Sequence, residues 1–208
     1  MRVLAIADEP YKRLWEQLDK SLLEGVDLIL SAGDLPASYL SFLTCFTHAP
    51  ILYVHGNHDT RYSQTPPDGC IDCEDKILCY NGIRVMGLGG SMRYKPGECM
   101  YSEREMERRI RRMWFRLRRT KGVDILLTHA PIRGIGDGDD LCHMGFECFK
   151  SFLDKYAPGF MVHGHVHQSY VHDFKHEQSY KDTKVLNASG YVFFDIEPRS
   201  GKQLKNNF

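Results

Sequence analysis

Five short apolar runs, each ending on a residue that can bind a metal ion, constrain this chain more than any other feature. Val3 to Ala7 ends at Asp8, and Asp27 to Ser31 runs into Gly33-Asp34. Ile51 to Val54 leads into His55-Gly56-Asn57-His58-Asp59, and Asp124 to Thr128 ends at His129. Phe160 to Val162 precedes His163-Gly164-His165-Val166-His167. Runs this short and this apolar read as buried strands. Between the first three lie segments with helical spacing. Leu14, Trp15, Leu18 and Leu22 mark one helix over Tyr11 to Leu23, and Leu40, Leu43 and Phe46 mark another after Pro36. Strand, helix, strand, helix, strand implies parallel pairing and an α/β architecture.

The rest of the chain extends that plan. Residues 60 to 75 read as a surface loop turning at Pro66-Pro67-Asp68-Gly69. Ile77 to Tyr80 and Ile83 to Met86, joined by Asn81-Gly82, are a hairpin. Gly87 to Ser91 reads as a tight corner that brings backbone amides near a site. Ser102 to Lys121 reads as one long helix, with a Ser102–Glu105 capping box and an apolar stripe of Met106, Ile110, Met113, Trp114 and Leu117. From Tyr101 to Lys121 nine Lys/Arg face three Glu. That helix is either a polyanion patch or a solvated face whose arginines pair with acids elsewhere. The second reading is favoured, because no aromatics interleave the arginines on the polar side. Gly134 to Asp140 reads as an active-site loop or a capped helix start. Phe146 to Tyr156 reads as a helix, and Val185 to Asn187 and Tyr191 to Ile196 as closing strands.

Composition narrows the class. The 208 residues suit one domain spanning 1–208. Lys+Arg and Asp+Glu number 27 each, so net charge gives no general case for nucleic acid. No apolar run is long enough to span a membrane, and the N-terminal run is too short for a signal peptide. Seven irregularly spaced cysteines suit reduced thiols and a cytoplasmic location. Cys70 and Cys73 form a lone Cys-x-x-Cys, read as incidental thiols.

In open α/β sheets, sites form beyond the carboxyl ends of the strands, so residues far apart in sequence meet on one rim. Asp8, Asp34, Asn57, His129, His165 and His167 are three imidazoles, two carboxylates and one amide, without a thiolate. Such a set suits Mn, Fe, Co, Ni or Zn in a catalytic site rather than a structural zinc cage. A carboxylate can bridge two such ions, which would then acidify a shared water and hold a phosphoryl oxygen. His165 and His167, two apart in an extended stretch, project to the same side.

These strand ends, in this order, resemble the motifs of the calcineurin-like metallophosphoesterases. Gly33-Asp34 matches their Gly-Asp motif and Gly56 to Asp59 their Gly-Asn-His-Asp/Glu motif. His129 matches their lone histidine and Gly164 to His167 their Gly-His-x-His motif. The resemblance implies a four-layer αββα sandwich of two mixed β-sheets flanked by helices, with a dinuclear site between the sheets. It implies that Asp8, Asp34 and His167 hold the first metal. Asp34 would bridge to a second held by Asn57, His129 and His165. His58 would face the leaving-group oxygen, with Asp59 orienting it. Two divalent ions are expected as cofactors, with Mn favoured.

One motif departs from the family. Its opening Asp-x-His is Asp8-Glu9-Pro10 here, and proline cannot ligate. Strand alternation would point Glu9 away from Asp8. Water is therefore expected to fill the gap, and the first metal to bind more weakly. His163 matches no family ligand and reads as buried or outer-sphere. The expected activity is hydrolysis of a small phosphodiester or nucleotide-like phosphoester by a metal-bound hydroxide. Arg93 and His143 are candidate substrate contacts. Two alternatives are a nuclease, suggested by the basic helix, and a non-catalytic binding scaffold, suggested by Pro10.

Overall fold

The computed structural model describes residues 1–167, 174–198 and 206–207. Among these, thirteen strands run in chain order. They are β1 (Arg2–Ala7), β2 (Leu28–Ser31), β3 (Ile51–Tyr53), β4 (Ile71–Asp72), β5 (Ile77–Tyr80), β6 (Ile83–Leu88) and β7 (Ser91–Met92), then β8 (Met100–Tyr101), β9 (Ile125–Thr128), β10 (Phe160–His163), β11 (Glu177–Tyr180), β12 (Thr183–Asn187) and β13 (Gly190–Asp195). The helices are α1 (Lys12–Trp15), α2 (Ala37–Thr44), α3 (Glu103–Arg112), α4 (Trp114–Thr120) and α5 (Cys148–Tyr156).

Two mixed sheets carry the fold. One has the order β13-β1-β2-β3-β4, the other β11-β12-β10-β9-β6-β5. β1, β2, β3 and β4 pair in parallel, with β13 antiparallel to β1. In the second sheet β12, β10, β9 and β6 are parallel, and β11 and β5 close its edges antiparallel.

Strand alternation sorts the side chains into layers. Val3, Ala5 and Ala7 of β1, with Leu28 and Leu30 of β2, pack between the sheets against Val85, Ile125, Leu127 and Val162. Leu4, Ile6, Ile29 and Ile51 point the other way, onto Leu14, Tyr39, Leu40 and Leu43. Met86, Leu126 and Met161 leave the second sheet outward, onto Met106, Leu117, Phe149 and Phe152. Both faces of each central strand are covered, which is why the runs are apolar at every position. The layers are helix, sheet, sheet, helix, as the resemblance implied.

Several elements differ from the sequence expectation. The first helix is only α1, followed by a 3₁₀ turn at Lys20–Leu23. Leu18 takes a left-handed φ of 47°, and Asp19 then caps the turn by accepting from the Ser21 amide. The long basic helix is likewise two, α3 and α4, meeting at Met113 (ψ −6°). Its Ser102–Glu105 capping box is present. Ile71–Asp72 of the expected loop adds an edge strand, and β11 had no apolar signal because only its polar residues Glu177–Tyr180 pair with β12. The Asn81-Gly82 hairpin forms as read, with φ of 47° and 83° at its two turn residues.

Candidate dinuclear metal site

The site lies where β1, β2, β3, β9 and β10 end. Three of its residues have left-handed backbones: Asp8 (φ 68°), Asp34 (φ 57°) and His165 (φ 70°). Such conformations cost energy in non-glycine residues and concentrate where function requires them. Glycines let the strand ends approach. A Cβ on Gly33 would lie 2.4 Å from the Gly56 nitrogen, and one on Gly56 would lie 2.0 Å from Asp34 Oδ1. The Gly-Asp and Gly-Asn pairs are therefore one interlocked contact.

Asp34 sits at the centre. Its Oδ1 accepts the His58 amide at 2.7 Å, and its Oδ2 is 3.3 Å from His129 Nε2. His129 is fully buried, and its Nδ1 faces the Ala32 carbonyl at 2.8 Å. A carbonyl only accepts, so Nδ1 carries the hydrogen. Nε2 then faces Asp34 Oδ2 and, at 3.0 Å, Asn57 Oδ1. Two oxygens and a lone-pair nitrogen point at one another, an arrangement that requires a positive charge among them. Burial alone would lower the His129 pKa, yet the Asp34 carboxylate lifts it to about 9, as protonation is one way to supply that charge. A metal ion is the other.

His165 repeats the device. Its Nε2 is 2.6 Å from the Cys142 carbonyl, so Nε2 is the protonated nitrogen and Nδ1 is left with a lone pair. Metal-binding histidines commonly tie their second nitrogen to such an acceptor. Burial, then His129, pushes its pKa down to about 3, which keeps the ring neutral. Ligand atoms of Asp34, His129 and His165 all lie within 4.8 Å of one another. Asp8 Oδ1 accepts the His165 amide at 2.8 Å, whereas its Oδ2 is buried without a hydrogen-bond partner. A buried carboxylate oxygen left unpaired is one that a bound cation would satisfy. The donor set therefore fits divalent metal ions.

Asp59 is buried, and its Oδ2 accepts the amides of Asp34 and Gly56, each at 2.7 Å. It staples the β2 end to the β3 end. Burial first, with Asp34 nearby, raises its pKa to about 6. His58 is exposed and lines a cavity of about 530 Å³ with Asp34, Ser38, Arg61 and Tyr62. His167 is half-buried, and its Nδ1 lies 3.6 Å from Glu9 Oε1. His163 is buried, with Nδ1 3.0 Å from the Gly164 carbonyl, and burial lowers its pKa to about 4.

Sequence reasoning missed two supports. Glu74 accepts the His55 amide at 3.1 Å and the Gly89 amide at 2.8 Å, and pairs with the buried Arg109. The basic helix thus inserts one arginine beneath the Gly56–Asp59 turn. No local pattern singles out Glu74 or Arg109; only their meeting in space does. The second support is the Cys142 carbonyl, a backbone atom without a sequence signature. Arg93 pairs with Glu105, and His143 with Asp140, while the His143 ring packs 5.4 Å from that of His165.

Fold and donor set together define a metallophosphoesterase-type architecture. The sequence profile of the calcineurin-like phosphoesterases matches residues 1–169, and the chain belongs to that family. No curated protein sequence matches it. Among solved structures it is similar to TT1561 of Thermus thermophilus, at TM-score 0.63 and 19% identity over 90% of this chain and 88% of that one. GAP50, described as the anchor in the inner membrane complex of Plasmodium, aligns at TM-score 0.56 and 12% identity over 91% and 71%. A 5'-nucleotidase from Candida albicans aligns at TM-score 0.50 and 12% identity over 90% of this chain and 45% of its own. At these identities the likeness is one of fold. No helix among the described residues is long and apolar enough to cross a membrane.

Proposed function

We propose that this chain, as a single domain over 1–208, is a metal-dependent phosphoesterase acting on a small phosphodiester or nucleotide-like substrate. The observation that carries the reading is the convergence of Asp34, His129 and His165 within 4.8 Å beside the unpartnered Asp8 Oδ2. Asp8, Asp34 and His167 would hold one divalent ion; Asp34, Asn57, His129 and His165 would hold the other, with Mn favoured among the ions that a mixed carboxylate and imidazole set suits. Bound ions would supply charge stabilisation for a phosphoryl oxygen and an acidified water.

The protein's own groups do the rest. Asp34 orients the turn bearing His58 by accepting its amide. His58, on the cavity wall, donates a proton to the departing alkoxide. Asp59 positions that histidine through the backbone, since its carboxylate clamps the amides on either side of the site. The cavity of about 530 Å³ suits a small ester. A cytoplasmic location with reduced thiols is part of this reading. GAP50 is described as an anchor, which keeps a scaffold role in view; the six candidate ligands that remain despite Pro10, with His58 and Asp59, favour catalysis.

The test is hydrolysis of bis(p-nitrophenyl) phosphate and p-nitrophenyl phosphate by chelator-stripped protein reloaded with Mn²⁺. Turnover that requires Mn²⁺, with the diester preferred, supports the reading. Two bound ions without turnover of either ester would leave a metal-binding scaffold.

A further inference from the structure

We propose that the Glu9 carboxylate is a ligand of the first metal half-site, supplying the donor that Pro10 cannot. The inference rests on the proposed metal-dependent function. The first observation is Asp8 itself: only 9% exposed, with Oδ2 unpartnered. The Asp8 carboxylate interacts electrostatically with His167 and lies beside the Ser189 side chain, so this buried carboxylate and that imidazole share one neighbourhood.

The second observation is where Glu9 goes. Simple alternation along β1 would turn it away from Asp8, but the strand does not continue. Asp8 adopts φ 68°, and the Glu9 amide bends back to the Ala7 carbonyl at 2.7 Å. This tight turn redirects the Glu9 side chain onto the rim, with Oε1 3.6 Å from His167 Nδ1. That distance is too long for a hydrogen bond. It suits two donors sharing one ion, because ligands about 2.0–2.2 Å from a metal stand roughly 3–3.6 Å apart. Glu9 is otherwise exposed and makes no other ion pair among the described residues.

Chemistry then sets a preference. With Glu9, the half-site has three carboxylates, Asp8, Glu9 and Asp34, and one imidazole, His167. Carboxylates suit Mn²⁺ and Mg²⁺, whereas imidazoles suit Zn²⁺. The half-site should therefore select Mn²⁺ over Zn²⁺ more strongly than the histidine-rich half beside it.

Calorimetric titration of chelator-stripped, full-length protein with MnCl₂ tests this. The wild type should show two sites. Glu9→Ala should weaken one of them by roughly tenfold or more and leave the other unchanged. Glu9→His should recover binding with Zn²⁺ now favoured there. Because Glu9 is exposed, the metal-free variants should melt with the wild type. Identical Mn²⁺ titrations for wild type and Glu9→Ala would overturn the proposal. So would a Glu9→Ala loss that falls on the histidine-rich half-site and spares this one. A wild type that binds no Mn²⁺ and hydrolyses no ester defeats the proposed function as well. A wild type that binds two ions and hydrolyses esters, yet is indifferent to Glu9, defeats this inference alone.

Discussion

The two halves of the site are built differently. Around Asn57, His129 and His165 every candidate ligand is buried, and each imidazole has one nitrogen fixed by a backbone carbonyl. Around Asp8, Glu9 and His167 only the Asp8 carboxylate is buried; His167 is half-buried, and its acidic neighbour Glu9 is an exposed side chain. The buried half is organised before any ion arrives. The open half would draw on the exposed Glu9 and the half-buried His167, which a bound ion would have to order. Preorganisation of this kind lowers the cost of binding, and the two halves should differ in affinity for that reason.

The largest effect should come from the group proposed to be common to both. Asp34→Asn should release both ions and reduce phosphodiester turnover by roughly 10³-fold or more, measured as metal content after gel filtration and as kcat/KM. Retention of both ions in that variant would contradict the bridging role. Next comes His58, which belongs to neither half. His58→Ala should reduce kcat by roughly 10²–10⁴-fold with metal content unchanged. The comparison itself is broken or sharpened by a pair of variants. His129→Ala should cost the tighter ion roughly 100-fold or more in affinity, while His167→Ala should weaken only the looser one. Equal losses in calorimetry would remove the distinction between the halves.

The smallest effect concerns the support under the buried half. Burial alone would raise the Glu74 pKa, but His55 and Arg109 hold it at about 2, below its ordinary 4.5. A carboxyl depressed in the folded state stabilises the fold above its unfolded pKa and loses that contribution as pH falls. Stability should therefore decline between about pH 4.5 and pH 2, by about 3 kcal/mol from this group. Glu74→Gln should show lower stability at neutral pH and a flatter acid limb in chemical denaturation.

Much of this was legible in the sequence. Doubly buried strands need apolar residues on both faces, so β1, β2, β3, β9 and β10 announce themselves as continuous runs. Parallel order gathers Asp8, Asp34 and Asn57 at one end of the first sheet and His129 and His165 at one end of the second; the packing of the two sheets face to face brings the two groups together. Helix boundaries were less legible. The stripe from Met106 to Leu117 keeps its period across Met113, although the backbone there breaks α3 from α4. Spacing records which face is apolar but not whether hydrogen bonding continues.

By itself, then, the sequence determined the α/β class and the candidate donors, because both follow from local patterns: apolar runs, glycines and the polar residues after them; the two-sheet sandwich came from the resemblance those motifs carry. Only the tertiary structure decided what stands behind those donors. The Glu74–Arg109 pair and the Cys142 carbonyl are long-range contacts that no window of sequence contains. Glu9 shows the limit most directly. Alternation gave it one direction, and a single left-handed residue, Asp8, gave it the other. That backbone state is selected by packing between two sheets, where β1 ends against Gly33 and Gly164, rather than by any preference of aspartate alone.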